Sequence, residues 1–180
     1  MSIAHVVHEP IRTRFPQPSK PPKAAPSLPA TATNPVDDFR TFMRTASTLQ
    51  RIAVERDGIP ACVVEALFER MRTTPTDFRQ ITGMPKASLA RKLREDGTIA
   101  GIGGQAILCL IDMINRVEDM LNANGDEIAR GFDVFEWLGR WIRRPQRALA
   151  GLSPTEMIDT PTGRESIMRV LGAIQSGVYL

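Results

Sequence analysis

From about residue 36 onward, apolar residues recur at every third or fourth position, and no stretch alternates with polar residues over a strand's length. Phe39, Phe42, Met43 and Ala46 share one helical face, and Asp57-Gly58 is the stop signal for that helix. Pro60 suits the first turn of the next, whose inward face is Val64, Leu67, Phe68 and Met71. The stretch "TPTD" at Thr74–Asp77 predicts a capped start for a short helix ending before Gly83, and Pro85 opens another that runs to about Glu95. Ile107, Leu110, Ile111, Ile114, Val117 and Leu121 predict a long helix closed by "NANGD", after a flexible turn at "GIGGQA". Val134, Trp137, Leu138 and Trp141 form a further face, stopped before Pro145. The pattern "SPTE" at Ser153–Glu156 predicts a capping box. A last helix follows "TPTG", with Ile167, Met168, Leu171 and Ile174 facing inward and Gly177 as its stop. The expected fold is all-α.

Residues 1–35 lack this pattern. They hold eight of the fourteen prolines and four Lys/Arg against a single acid, Glu9, and read as a disordered tail. The rest of the chain then carries 19 bases and 19 acids, so the net charge of +3 belongs to the tail and binding to nucleic acid must rest on a local patch. The longest apolar run, "AILCLI" at Ala106–Ile111, is far below the ~20 residues of a membrane span. Cys62 and Cys109 form no CxxC pair and read as small buried side chains in a reducing, cytoplasmic setting.

Catalytic chemistry finds little support. The two histidines, His5 and His8, lie in the tail, and no cysteine or carboxylate pair has the neighbours an active site needs. "GIGGQA" at Gly101–Ala106 fits a dinucleotide fingerprint, but no strand feeds it. A non-enzyme with no cofactor and no metal is expected.

The segment Thr74–Gly97 carries a more specific signal. Phe78 and Ile81, then Gly83, then Leu89 and Leu93 match two short helices joined by a turn, the pattern of a helix-turn-helix. Between Phe78 and Arg94 there are five bases and no acid. Arg79, Lys86, Ser88, Arg91, Lys92 and Arg94 are therefore the candidate DNA-binding residues. A solvated helical hairpin in a stand-alone adaptor is the other reading of the same residues.

The C-terminal third resembles the toxin-binding domain of the Xre/MbcA/ParS-type antitoxins. The matching positions are Trp141, Ile142, Pro145, Leu149, Gly151 and Pro154, then Ile158, Thr160 and Gly163, then Gly177, Val178 and Tyr179. Ala150 stands where the family often has a glycine, and Ile142 replaces the usual leucine. The chain's pattern and this resemblance, which covers roughly Thr74–Leu180, together divide it into three segments. These are a tail at 1–35, a helical domain at 36–125 containing an Xre-like helix-turn-helix at about 74–97, and a toxin-binding domain at 126–180. The resemblance further implies an antitoxin of a type II toxin–antitoxin system, paired with a RES-domain toxin that uses NAD⁺. Such an antitoxin obstructs the toxin's active site and represses its own operon by binding operator DNA, here as an expected homodimer. The toxin-facing residues expected on this basis are Arg144, Pro145, Arg164, Gly177, Val178, Tyr179 and Leu180. From the residues alone, Val178–Leu180 can equally fold back on the last helix.

Overall fold

The run Ala106–Ile111 is apolar around its whole circumference, so a helix containing it must be covered on all sides. That is its position here. In a computed structural model describing residues 34–124 and 131–175, the 24-residue helix α6 (Gly101–Asn124) is the central element, with Ala106–Ile111, Met113 and Ile114 all buried. Around it stand α1 (Pro35–Thr45), α2 (Thr48–Asp57), α3 (Ala61–Arg70), α4 (Pro75–Thr82), α5 (Lys86–Arg94), α7 (Val134–Trp141) and α8 (Pro161–Gln175). Short 3₁₀ turns at Arg147–Leu149 and Pro154–Glu156 join α7 to α8. The fold is all-α, apart from one two-residue antiparallel bridge. In it β1 (Ile59–Pro60) pairs with β2 (Thr98–Ile99), Ile59 opposite Ile99. Among the described residues no helix is long and apolar enough to cross a membrane.

Three expectations need correction. The first predicted helix is two, because Ala46 is extended and Ser47 caps a new start. Gln50 Oε1 accepts the Ser47 amide at 2.8 Å while Ser47 Oγ accepts the Gln50 amide at 3.4 Å. Second, "GIGGQA" is no flexible turn but the first turn of α6. A Cβ on Gly103 would stand 2.5 Å from the Thr82 carbonyl oxygen, so the glycine lets α6 meet the end of α4 at backbone distance. Third, Cys62 is exposed, and only Cys109 is buried.

One hydrophobic cluster spans both segments inferred from the sequence, from Val36 to Leu171. An ionic network reinforces that junction. Arg40, 6% exposed, donates to Asn115, Asp37 and Glu118, linking α1 to α6. Its guanidinium lies 5.0 Å from the Phe135 ring centre on α7, and that of Arg70 lies 3.5 Å from the same ring. Asp37 accepts from both arginines. The helices before Thr74 therefore form part of the frame that holds α7.

Candidate functional site

The pair α4–α5 is built as its sequence predicts. Thr74 Oγ1 accepts the Asp77 amide at 3.1 Å, and Asp77 returns a carboxylate oxygen to the Thr74 amide at 2.7 Å. This complete capping box starts α4. Gly83 closes α4 in the left-handed conformation, Met84 and Pro85 turn the chain, and α5 begins at Lys86. Phe78 meets Phe68 of α3 edge-on at 4.9 Å, and Ile81 and Leu89 are buried, with Leu93 half-buried behind them.

This packing leaves Lys86, Ala87, Ala90, Arg91 and Arg94 exposed on one face of α5, with Arg79 exposed on α4. Among the described residues these four cations make no ion pair, whereas arginines elsewhere, such as Arg44, Arg51 and Arg70, each hold a carboxylate. The alanines keep the middle of the face low, so an approaching surface meets charge at the edges and little bulk between them. Two candidates behave otherwise. Ser88 is half-buried, and Lys92 turns back to donate to the Thr98 carbonyl oxygen at 2.7 Å.

In the C-terminal segment, α7 begins at Asp133, whose carboxylate accepts the Glu136 amide at 2.9 Å. Past Trp141 the chain forms a closed loop. The Gln146 amide donates to Leu152 O and the Gly151 amide to Gln146 O, both at 3.0 Å. Ala150 sits at φ 56° inside this loop, which explains why a glycine suits that position. Ser153 donates its amide and its hydroxyl to Glu156, at 2.8 and 2.6 Å, and these bonds hold the Glu156 carboxyl below its ordinary pKa. A Cβ on Gly163 would overlap the Met157 carbonyl oxygen, so the family's glycine there is needed for α8 to start against that turn.

Of the toxin-facing candidates, Arg144 and Pro145 are exposed. Arg164 is a strut within the fold. It donates to the carbonyls of Ile158 and Asp159 at 3.0 and 3.1 Å and to Gln105 of α6 at 2.7 Å. Gly177, Val178, Tyr179 and Leu180 lie outside the described residues.

Sequence reading missed an apolar groove of about 230 Å³ lined by Val117, Met120, Leu121, Phe132, Trp137, Leu171 and Ile174. Ile174, expected to face inward, is 38% exposed at its rim, and Phe132 is 37% exposed. Trp137 stacks on Trp141 at 5.8 Å and meets Phe132 at 6.0 Å. Phe132 stands just ahead of the Asp133 cap, a position where a hydrophobic residue commonly folds back on its helix. That was the available signal.

A wider groove between α2, α6 and α8 has several of its polar wall residues already bonded to one another. Arg51 holds Asp112 through two bonds of 2.9 and 2.7 Å, and Arg164 holds Gln105. Burial, and next the charge of Asp112, push the Cys109 thiol in that groove up to about 12, so it stays protonated at neutral pH. Among the described residues no group of three His, Cys, Asp or Glu is placed to hold a metal.

Comparison with known proteins bears on the C-terminal segment and on most of the chain. Residues 130–177 match the family described as the antitoxin Xre/MbcA/ParS C-terminal toxin-binding domain. The chain is 28% identical over 134 residues to the Prs ADP-ribosylating antitoxin of Sphingobium sp. (strain YBL2), covering 74% of this chain and 83% of that protein. It is 24% identical over 126 residues to Antitoxin Xre of Photorhabdus laumondii subsp. laumondii, covering 70% and 78%. On these matches residues 130–177 are similar to the toxin-binding domain of the Xre/MbcA/ParS-type antitoxins, and the chain is similar over most of its length to two antitoxins.

Proposed function

We propose that this chain is an antitoxin that pairs with a RES-domain toxin that consumes NAD⁺, obstructs that enzyme's active site from its C-terminal segment, and represses its own operon through α4–α5. It works in the cytoplasm as a homodimer, since two-fold readers of this class engage two half-sites. The name of the Sphingobium relative, an ADP-ribosylating antitoxin, supports the toxin class, because ADP-ribosyl transfer draws its group from NAD⁺.

The observation that carries the reading is a division of the surface. Arg79, Lys86, Arg91 and Arg94 stand exposed on α4–α5 and, among the described residues, without ion pairs. The apolar rim of Phe132, Trp137 and Ile174 lies in the segment matching the toxin-binding family. Free cations gain by replacing the counterions of a phosphate backbone, and a desolvated aromatic rim suits a protein partner. Pro145, Arg144 and the residues Gly177–Leu180 complete the toxin-facing set.

The test is co-expression with an adjacent reading frame encoding a RES-domain protein. The full chain is expected to relieve growth arrest and co-purify with that protein, and a chain stopped at Ser176 to fold but neutralise poorly. Growth arrest that persists with the full chain would contradict the pairing.

A further inference from the structure

We propose that the loop Arg144–Arg147, within the segment matching the toxin-binding domain, is a second DNA contact that grips the phosphodiester backbone beside the groove entered by α5. The proposal rests on the reading of α4–α5 as the DNA reader. Its starting point is how the cations of the fold are distributed. Arg40, Arg44, Arg51, Arg70, Arg72, Arg140, Arg143 and Arg169 each pair with a carboxylate. Lys92 and Arg164 are bonded to oxygens of their own fold. Among the described residues the basic side chains left over are the four on α4–α5, the two exposed arginines of this loop, Arg56 on α2, and Arg116, which lies against Gly172. No acid occurs between Glu136 and Glu156 to neutralise the loop.

The loop is also in the right place. Arg143, next to Arg144, donates to the Gly139 carbonyl at 2.7 Å and reaches the Asp77 carboxylate in the first turn of α4 at 3.3 Å. The Thr155 amide holds the Ile142 carbonyl at 3.1 Å, and the turn Pro154–Glu156 packs on α4. The starts of α4 and α5 adjoin, because Thr74, Pro75 and Lys86 line one small cleft, together with Glu65 and Glu69 of α3. In helix-turn-helix proteins the first helix of the pair crosses the backbone while the second enters the major groove. A basic loop fixed to the start of that first helix therefore meets phosphates, not bases. The loop's closing bonds at Gln146 reduce the ordering cost of presenting Arg147, and a guanidinium matches a phosphate's paired oxygens.

The experiment measures affinity of the full-length protein for its own promoter and for a random duplex between about 50 and 200 mM salt. It compares the wild type with Arg144→Ala/Arg147→Ala and with Arg91→Ala/Arg94→Ala, after thermal melts confirm each variant's fold. The loop variant is expected to weaken both duplexes by a similar factor and to reduce the salt slope by about 1–2. The α5 variant should mainly erode preference for the promoter. An unchanged slope in the loop variant, whether or not its toxin co-purifies less, overturns the proposal while leaving α4–α5 as the reader. If the wild type binds neither duplex, the reading of α4–α5 falls and the loop contact falls with it.

Discussion

The guanidinium of Arg143, at the end of α7, lies 3.3 Å from the carboxylate of Asp77, which caps the start of α4. One bond thus joins the segment matching the toxin-binding family to the first helix of the candidate DNA reader. Asp77 is largely shielded while Arg143 is one-third exposed, so solvent screens the pair only in part. Arg143→Ala is expected to cost about 1 kcal/mol, and hence a fall of roughly 2–4 °C in Tm for a chain of this size. A thermal melt followed by circular dichroism measures it, and an unchanged Tm would reduce the pair to a surface contact.

Ala150 holds a left-handed conformation that an L side chain enters at a cost of about 1 kcal/mol. Ala150→Gly removes that strain but loosens the unfolded chain, so a small net gain, below about 1 kcal/mol, is expected in urea unfolding. A clear loss of stability would mean that the Ala150 methyl makes a contact worth more than the strain.

Gly163 has the opposite constraint. A methyl there would overlap Met157 O and stand 2.7 Å from Thr160 Oγ1, both at the start of α8. Gly163→Ala should destabilise by about 1–3 kcal/mol, read as a lower urea midpoint. If the midpoint holds, α8 starts in a way that leaves room beside that turn.

The two cysteines should differ sharply towards a thiol reagent at neutral pH. Cys62 is exposed, whereas Cys109 is buried and kept protonated by its surroundings. One equivalent is expected to react in the native protein and the second only on unfolding. Rapid reaction of both would place Cys109 in an open site.

Much of this was legible from spacing alone. Periodicity located the inward faces of α3, α4, α5 and α7, and "TPTD" marked a true capping box, because those signals are local and repeat with the helix. Three-dimensional partners were not legible. "STLQ" at Ser47–Gln50 carries a capping box that the apolar stripe running through it concealed. Nothing in α5's own spacing shows that Lys92 will find Thr98 across a turn, or that Arg164 will find Gln105 59 residues away. Ile174 fits the stripe of α8 yet lies at the rim of the groove it shares with Phe132 and Trp137.

The central claim is that one chain silences a toxin and its own promoter through two surfaces that meet at the Arg144–Arg147 loop. The most direct measurement co-expresses Arg91→Ala/Arg94→Ala with a RES-domain protein encoded in an adjacent reading frame, in cells carrying a promoter reporter, and reads growth and reporter output together. Lys92, though a candidate by sequence, is left out of the variant because it is occupied within the fold. Growth at the wild-type level with a derepressed reporter is the predicted result. A reporter that stays repressed, or growth arrest that persists, would contradict it.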